Sequence, residues 1–352
     1  MNLLIIANNV EGNIDGIGKH ARMLSDEFKR GGHSVVLLSA KSGFNKWASF
    51  FTPAMCIVFC KAIWNIISCN IDYVIVEYPF KEHNPFILFF HIILYVQTRF
   101  CHTKIAFSMH EYNRVNFLRK RVIDIFLIFC DVVFVSEKKY IRQFHRISYK
   151  ISLRNIPNHI QCNHPGKSFM PNTFCYFGLV NSSKAFSEML EAWRLFNKDR
   201  NSFLHIISST NLHEWKLDSY DGVIYHFNLS PEDVSQIMYN CSFCIVPVKP
   251  EIGLNNSSFV SAIQCGCIPI GHFSKELINE SFIINVEDYS IRNMHKAFIT
   301  ASEIEEKQYE IMSEKARMFG KDFSLEKTAK QMICALEEYR KIHECLRRIL
   351  HY

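Results

Sequence analysis

Four polar segments of the sequence carry residue types that bind ligands, and each directly follows a strand-like apolar run. The first, residues 8–18, holds three glycines and leads into a helical pattern. Glycine lets the backbone approach a ligand closely, and the helix N-terminus behind it favours anions. The segment therefore supplies candidate contacts, with a loop needed only for its turn as the alternative. The candidates are Asn13, Asp15, Gly16 and Gly18.

The second segment, residues 109–114, places His110 and Glu111 at the end of another strand-like run, with Tyr112 beside them. A histidine next to a carboxylate suits hydrogen bonds to sugar hydroxyls or the handling of a proton. We interpret all three as site residues. The alternative is a purely structural histidine.

The third and fourth segments are suited to an anion. Lys184, a few residues after Gly178, is expected to open a helix, where a cation opposes the helix dipole unless an anion such as a diphosphate compensates it. Residues 247–258 add N-cap side chains and free N–H groups before a predicted helix at 259–265. A solvated lysine and an ordinary capped helix are the alternatives. The candidates in the fourth segment are Gly253, Leu254, Asn255, Asn256, Ser257 and Ser258.

The elements that must position these segments alternate between short apolar runs and longer amphipathic stretches. This alternation predicts an α/β fold with doubly wound parallel sheets. A turn-rich stretch at 161–172 suggests two domains, 1–162 and 173–335. A helix at 336–352 follows, for which packing on the first domain is one arrangement. The predicted strands are Leu3–Ala7, Ser34–Ser39, Tyr73–Glu77, Lys104–Ser108, Val132–Ser136, Phe174–Gly178, Phe203–Ser208, Val223–Phe227, Phe243–Val248 and Cys267–Gly271.

Composition excludes several classes. A net charge of +6 over 352 residues is too weak to indicate nucleic acid, but suits anionic substrates or an anionic membrane. The 13 cysteines form no disulfide-like framework and the N-terminus lacks signal-peptide features, so we expect a cytoplasmic protein. We interpret Cys241, Cys244, Cys265 and Cys267 as buried small residues rather than a zinc site.

In order and spacing, these pieces resemble the GT-B glycosyltransferases, and glycosyltransferase family 4 in particular, nearly end to end. The similar motifs are the glycine loop and helix at 12–30 with Gly32-His33-Ser34-Val35, the D-x-x-x-x-S-E strand at 131–137, the IPN element at 154–158, the G…K pair Gly178 and Lys184, and a helix-to-strand motif at 262–269.

The resemblance implies two Rossmann-like domains facing each other across a cleft, and a retaining transfer from a UDP- or GDP-linked sugar. It assigns the acceptor to the N-terminal domain and the donor to the C-terminal one. His110 matches the family's histidine near the sugar hydroxyls, Glu251 the first glutamate of its E-x7-E motif, and Lys184 a diphosphate ligand. It implies neither cofactor nor metal ion.

The sequence departs from the family at the second glutamate of E-x7-E. Phe259 stands at that spacing from Glu251, and Ser261 stands where the helix alignment would put it. The serine-rich stretch 256–258 is a candidate to take over the lost contacts. A catalytically silent GT-B scaffold and a GT-B nucleotide-sugar epimerase are therefore alternatives to a transferase. A nicotinamide dehydrogenase is disfavoured, because the first loop lacks an ordered glycine fingerprint.

The acceptor is expected to be a saccharide or an undecaprenyl-type lipid-linked saccharide, in surface polysaccharide assembly such as capsule or O-antigen. Two aromatic-rich helical stretches, at 50–68 and 85–96, lie in the acceptor half, and both fall short of a membrane span. With basic residues near by, they suit peripheral docking at the cytoplasmic membrane face. Helices that merely cover the sheet are the alternative.

Overall fold

The computed structural model describes residues 1–8, 16–40, 53–78, 86–110, 112, 117–155, 160, 162 and 167–350. The chain forms two compact units. Unit 1 comprises Met1–Asn155 together with Leu325–Tyr352, and unit 2 comprises Ile156–Ser324. The units thus divide at 155/156 and 324/325. The sequence instead suggested a linker at 161–172 and a separate C-terminal helix that begins at residue 336.

Unit 1 is built on a parallel sheet with strand order β2-β1-β3-β4-β5-β6. The alternation predicted from the sequence is confirmed there, and the short edge strand β6 is an addition. The elements in chain order are β1 (Asn2–Asn8), α1 (Gly16–Arg30), β2 (Ser34–Ala40), α2 (Pro53–Ser68), β3 (Tyr73–Tyr78), α3 (Phe86–Phe100), β4 (Lys104–Met109), α4 (Phe117–Phe129), β5 (Val132–Val135), α5 (Lys138–Gln143), β6 (Ile151–Leu153) and α11 (Leu325–Leu350).

Both faces of this sheet are covered, which explains why its strands are almost wholly apolar. Successive residues of a strand point to opposite faces. Leu4 and Ile6 pack under α2, α3 and α4, while Leu3 and Ile5 pack under α1 and α11. Helix α11 is held to the strands directly, because the Tyr73 hydroxyl donates to the Leu336 carbonyl at 2.7 Å.

Unit 2 has a second parallel sheet, with strand order β12-β11-β10-β7-β8-β9. Helices α6 and α9 pack together, as do α8 and α10. The elements are β7 (Thr173–Phe177), α6 (Phe186–Phe196), β8 (Phe203–Ser208), β9 (Val223–Phe227), α7 (Pro231–Tyr239), β10 (Phe243–Ile245), α8 (Ser257–Gln264), β11 (Ile268–Gly271), β12 (Ile284–Asn285), α9 (Ile291–Ser302) and α10 (Glu306–Gly320).

The strand orders locate where each unit should bind ligands. In an open parallel sheet, ligands lie beyond the carboxyl ends of the strands where the order reverses. In unit 2 the reversal falls between β7 and β10, and in unit 1 between β1 and β3. The segments following these strands include residues 178–184, residues 246–256 and the end of β3.

The cysteines at 241, 244, 265 and 267 are all buried in the core of unit 2. This agrees with their interpretation as small packing residues. Among the described helices, none is both long and apolar enough to cross a membrane.

Candidate active site

The two predicted donor segments meet at the strand reversal of unit 2. A Cβ atom placed on Gly178 would lie 3.0 Å from Ser258 Oγ. Lys184 forms an antiparallel bridge with Val248, and the Lys249 amide donates to the Ser183 carbonyl at 2.9 Å. The fold therefore brings residues 178–184 and 247–258, which are about seventy positions apart in sequence, into one patch.

The backbone at Gly178 has a conformation that favours glycine, with φ at +142°. The turn that follows is fixed by side chains. The Tyr176 hydroxyl donates to the Leu179 carbonyl at 2.9 Å, and Thr210 Oγ1 accepts from the Val180 amide at 3.0 Å. This arrangement keeps the backbone of Gly178 close to Ser258 without an intervening side chain.

Helix α8 points its N-terminus into the same patch. The helix begins at Ser257, two residues before the predicted start, with Asn256 as its N-cap. Asn256 Oδ1 accepts from the Phe259 amide at 3.0 Å, so the cap satisfies one of the first N–H groups. The N–H groups of Ser257 and Ser258, at the first two helical positions, have no acceptor within the helix. Such N–H groups suit phosphate oxygens.

Two lysines belong to the segments that form this patch. Lys184 is half-buried and precedes α6, which begins at Phe186, so the lysine does not itself open the helix. Lys249 pairs with Glu188 of α6 at 2.8 Å. Because Glu188 compensates the charge of Lys249, the charge of Lys184 and the α8 N-terminus are what suit the patch to a diphosphate.

The rest of the segment at residues 247–258 is held by contacts with the core of unit 2. Ile252 is buried and bridges to Phe273, and Leu254 packs against the core of unit 2. Glu251 is exposed, and Gly253 and Asn255 are half-buried. The side chain of Asn255 approaches Gly253, since a Cβ on that glycine would lie 3.4 Å from Asn255 Oδ1.

The position of the missing second glutamate is part of the core. Phe259 is fully buried and packs edge-on against Phe273, with ring centroids 5.7 Å apart. Ser261 is also buried, and its hydroxyl donates to the Ser257 carbonyl at 2.9 Å. Neither residue offers a carboxylate, so the hydroxyl and amide groups of residues 256–258 are the polar groups available there.

In unit 1, His110 stands in a buried polar cluster at the carboxyl ends of β3 and β4. His110 Nε2 lies 2.6 Å from Glu77 Oε2, and the Ser108 hydroxyl donates to the same oxygen at 2.6 Å. The Arg154 guanidinium completes the cluster: its NH2 group lies 3.4 Å from Glu77 Oε2 and also donates to Ser108 Oγ, and its NH1 group donates to His20 Nε2 at 2.9 Å.

The charges in this cluster determine the protonation state of the Glu77 carboxyl group. Burial alone would raise the pKa of Glu77, but the positive charge of Arg154 and the hydrogen bond from His110 more than offset it. The pKa of Glu77 therefore lies well below its usual range. Glu77 is an ionised acceptor, so the 2.6 Å contact requires a proton on His110 Nε2.

His20, Glu77 and His110 have a donor set typical of a metal site, with one ligand atom of each within 4.8 Å of the others. Two imidazoles and a carboxylate suit a divalent transition metal. However, the Arg154 guanidinium already contacts all three, at 2.9, 3.4 and 3.3 Å from His20, Glu77 and His110. The place that a cation would take is filled by a side-chain cation.

The structure describes three of the other predicted residues of unit 1. Gly16 and Gly18 belong to the first turn of α1. Tyr112 is buried, and its hydroxyl donates to Asp124 at 2.8 Å. Burial and this hydrogen bond raise the pKa of Tyr112 to about 12. Tyr112 thus packs against Tyr140 and Phe144 rather than joining the His110 cluster. Asn13, Asp15 and Glu111 lie outside the described residues.

Four members of the His110 cluster were not candidates from the sequence: His20, Glu77, Ser108 and Arg154. Glu77 carried a usable signal, because it is a charged residue at the carboxyl end of a buried parallel strand. His20 stands in the predicted first helix with no polar pattern around it that marks a site, and Arg154 was noted only as part of the IPN element. Their proximity depends on the strand order and on the placement of α1, which no local pattern reveals.

Two units with parallel sheets of this kind define the GT-B fold, and comparison with solved structures supports the assignment. No protein-family profile and no curated protein matches the chain. HepE from Anabaena, solved with UDP and glucose, is similar with a TM-score of 0.67 at 10% identity, covering 96% of this chain and 100% of that one.

A glycosyltransferase from Rickettsia africae is similar with a TM-score of 0.71 at 15% identity, over 97% of this chain and 98% of that one. WaaG, a glycosyltransferase involved in lipopolysaccharide biosynthesis, is similar with a TM-score of 0.61 at 11% identity, over 94% and 98%. The predicted GT-B fold is thus confirmed, while membership of family 4 stays a prediction.

Proposed function

We propose that the protein is a glycosyltransferase that moves a sugar from a nucleotide-diphosphate sugar to a saccharide or lipid-linked saccharide. The observation that carries this proposal is the patch at the strand reversal of unit 2. Gly178, Ser258 and the α8 N-terminus offer close backbone and hydroxyl groups, and Lys184 borders them. A diphosphate needs this combination of N–H donors and positive charge.

Similar folds bind such donors. The Anabaena protein HepE has been solved with UDP-glucose, and an α-glucosyltransferase with UDP. Because one fold hosts many activities, these neighbours support the donor class only together with the patch in this chain.

The test is a titration of purified protein with UDP, GDP, ADP and CMP, followed by calorimetry and thermal shift, with and without EDTA. We expect one nucleoside diphosphate to raise the melting temperature, because a ligand that binds only the folded state stabilises it. The same titration on Lys184→Ala should show weaker binding. If none of the nucleotides binds, the donor site is wrong and a silent GT-B scaffold becomes the better proposal.

We further propose that the transfer is metal-independent and retaining. Lys184 and the N–H groups of Ser257 and Ser258 would stabilise the leaving diphosphate, a role that a metal ion plays elsewhere. The resemblance to GT-B transferases assigns contacts with the sugar to Glu251 of unit 2 and to His110 of unit 1. Nuclear magnetic resonance of the first-formed product gives the anomeric configuration, and turnover unaffected by EDTA would support the metal-free assignment.

The acceptor is proposed to be lipid-linked, at an anionic membrane face, on the evidence of α2 and α3. These neighbouring helices each present an exposed apolar row. Trp64 is 70% exposed and Phe100 is 78% exposed. Aromatic and aliphatic side chains in such rows insert at the headgroup boundary of a bilayer. The rows are Ile57, Trp64 and Ile67 on α2, and Ile92, Val96 and Phe100 on α3.

Flotation with vesicles that contain anionic lipid tests this surface. Trp64→Ser with Phe100→Ser should reduce vesicle binding, while nucleotide binding stays unchanged. Ile311→Ser with Met318→Ser, two exposed apolar positions on α10 in unit 2, serves as the matched control. Equal vesicle binding by both double variants would argue against docking through α2 and α3.

A further inference from the structure

We propose that Arg154 is a built-in cation that holds Glu77 ionised, and that Glu77 in turn fixes His110 with its proton on Nε2 and leaves Nδ1 to face a ligand. Glu77, Arg154 and His20 are then positioning residues for His110. This inference rests on the proposed function only for its consequence in transfer, because the ring state itself can be measured without substrate.

The hydrogen bond at His110 Nε2 has one possible direction. An ionised carboxylate accepts only, so the 2.6 Å contact from Nε2 to Glu77 Oε2 is an N–H···O bond. The Arg154 NH2 group, 3.3 Å from the same nitrogen, is also a donor and cannot share that proton. Arg154 therefore influences the His110 ring through Glu77, and it does not donate a hydrogen bond to Nε2.

The side chains of the cluster are linked to one another by hydrogen bonds. Ser108 donates to Glu77 Oε2, Arg154 donates to Ser108 and to His20 Nε2, and all five side chains are buried. Because His20 Nε2 accepts from Arg154, this nitrogen carries no proton, and the His20 ring is held edge-on to His110, with centroids 5.3 Å apart. Each group is fixed by another, which restricts rotation of the His110 ring.

One nitrogen of the His110 ring is left for a ligand. The hydrogen bonds that the described residues make to the His110 ring go to Nε2. Glu77 Oε1 is buried and, within the described part of the chain, receives no hydrogen bond. Glu77 Oε1 is enclosed, so His110 Nδ1 is the acceptor left for a hydroxyl donor, such as that of a sugar.

The experiment is nitrogen-15 magnetic resonance of the full-length protein with labelled histidine, assigned through His110→Asn. We expect the Nε2–H tautomer for His110 in the wild type at neutral pH, and a mixed or reversed tautomer in Glu77→Gln, whose amide can donate to Nε2. An Nδ1–H tautomer in the wild type would overturn the proposal even if every variant fails to fold.

Asp131→Asn is the matched control. Asp131 is likewise a buried carboxylate of unit 1 that pairs with an arginine, Arg99 at 3.1 Å, but it lies outside the His110 cluster. It should destabilise the protein without changing the His110 tautomer, so an equal tautomer change in both variants would refute the specific role of Glu77. Once transfer is measurable, Glu77→Gln should lower kcat at least tenfold with unchanged nucleotide affinity. If the wild type binds no nucleotide, the proposed function is wrong, but the tautomer result still holds.

Discussion

Gly178 and Ser258 are eighty positions apart in the sequence, yet a Cβ on Gly178 would lie 3.0 Å from the Ser258 hydroxyl oxygen. The contact follows from the strand order of unit 2, in which β7 and β10 are neighbours although β8 and β9 come between them in sequence. It brings a glycine turn and a helix N-terminus together, as phosphate binding requires.

Gly178→Ala should therefore disturb both the fold and the site. An L side chain at φ +142° is strained, which costs about 1–3 kcal/mol, and the new methyl group would push Ser258 away. We expect a lower melting temperature and a clear loss of nucleotide affinity. Gly31→Ala is the control, since a Cβ there meets its nearest atom at an ordinary 3.4 Å. Unchanged nucleotide binding in Gly178→Ala would separate this turn from the donor site.

Lys184→Ala should weaken nucleoside diphosphate binding by about 10- to 100-fold, the value of one or two charge-assisted hydrogen bonds. Stability should change little, because the lysine is only half-buried. Lys198→Ala, an exposed lysine after α6, is the control for a general loss of positive charge. Calorimetry with the preferred nucleotide measures both variants, and equal affinities would show that Lys184 is a surface lysine.

Phe259→Glu should not restore the missing glutamate of the E-x7-E motif. Because Phe259 is buried against Phe273, the substitution removes core packing and buries a carboxylate, at a cost of about 3–5 kcal/mol or more. Phe259→Leu should cost much less and retain nucleotide binding. Denaturant unfolding of the two variants checks the order. A stable Phe259→Glu protein with improved nucleotide affinity would mean that the side chain at this position can reach the ligand.

Much of the fold follows from local pattern. Apolar runs bounded by turns predicted strands in both units, and N-cap residues placed the start of α8 within two positions. The short edge strands β6 and β12 escaped, because three- and two-residue strands leave almost no periodic signal. The C-terminal helix was expected from residue 336, whereas α11 begins at Leu325, and its packing on unit 1 depends on tertiary contacts of Met332 and Leu336.

The candidate site divides in the same way. Residues 178–184 and 247–258 were recognisable because polar residues after buried strands stand out. The His110 cluster was found only at one member, since its other side chains come from α1, β3, β4 and the residue after β6. A buried arginine such as Arg154 is recognised only when its counter-charge is known, and Glu77 is 77 positions away in sequence.

Acid should weaken unit 2 through the histidine pair on β8 and β9. His205 Nδ1 lies 2.9 Å from His226 Nε2, and burial together with the neighbouring ring lowers the pKa of His205 to about 4. The folded state thus binds fewer protons than the unfolded chain between about pH 6.5 and 4, so stability is lost as the pH falls through that window. Comparing denaturant midpoints of the wild type and His205→Leu across it isolates the effect. A difference that stays constant with pH would contradict this assignment.

Removing the guanidinium of Arg154 should turn the His110 cluster into a metal site. In Arg154→Ala, Glu77 loses its buried counter-charge, which costs about 3–5 kcal/mol, and His20, Glu77 and His110 keep ligand atoms within 4.8 Å of one another. Zn²⁺ or Co²⁺ should therefore raise the melting temperature of this variant, or restore its folding, and Co²⁺ should give a visible absorption spectrum. The wild type should show neither effect, because its cation is already in place, and adding His20→Ala to the variant should abolish both. Equal metal binding by the wild type would show that Arg154 does not occupy the cation position.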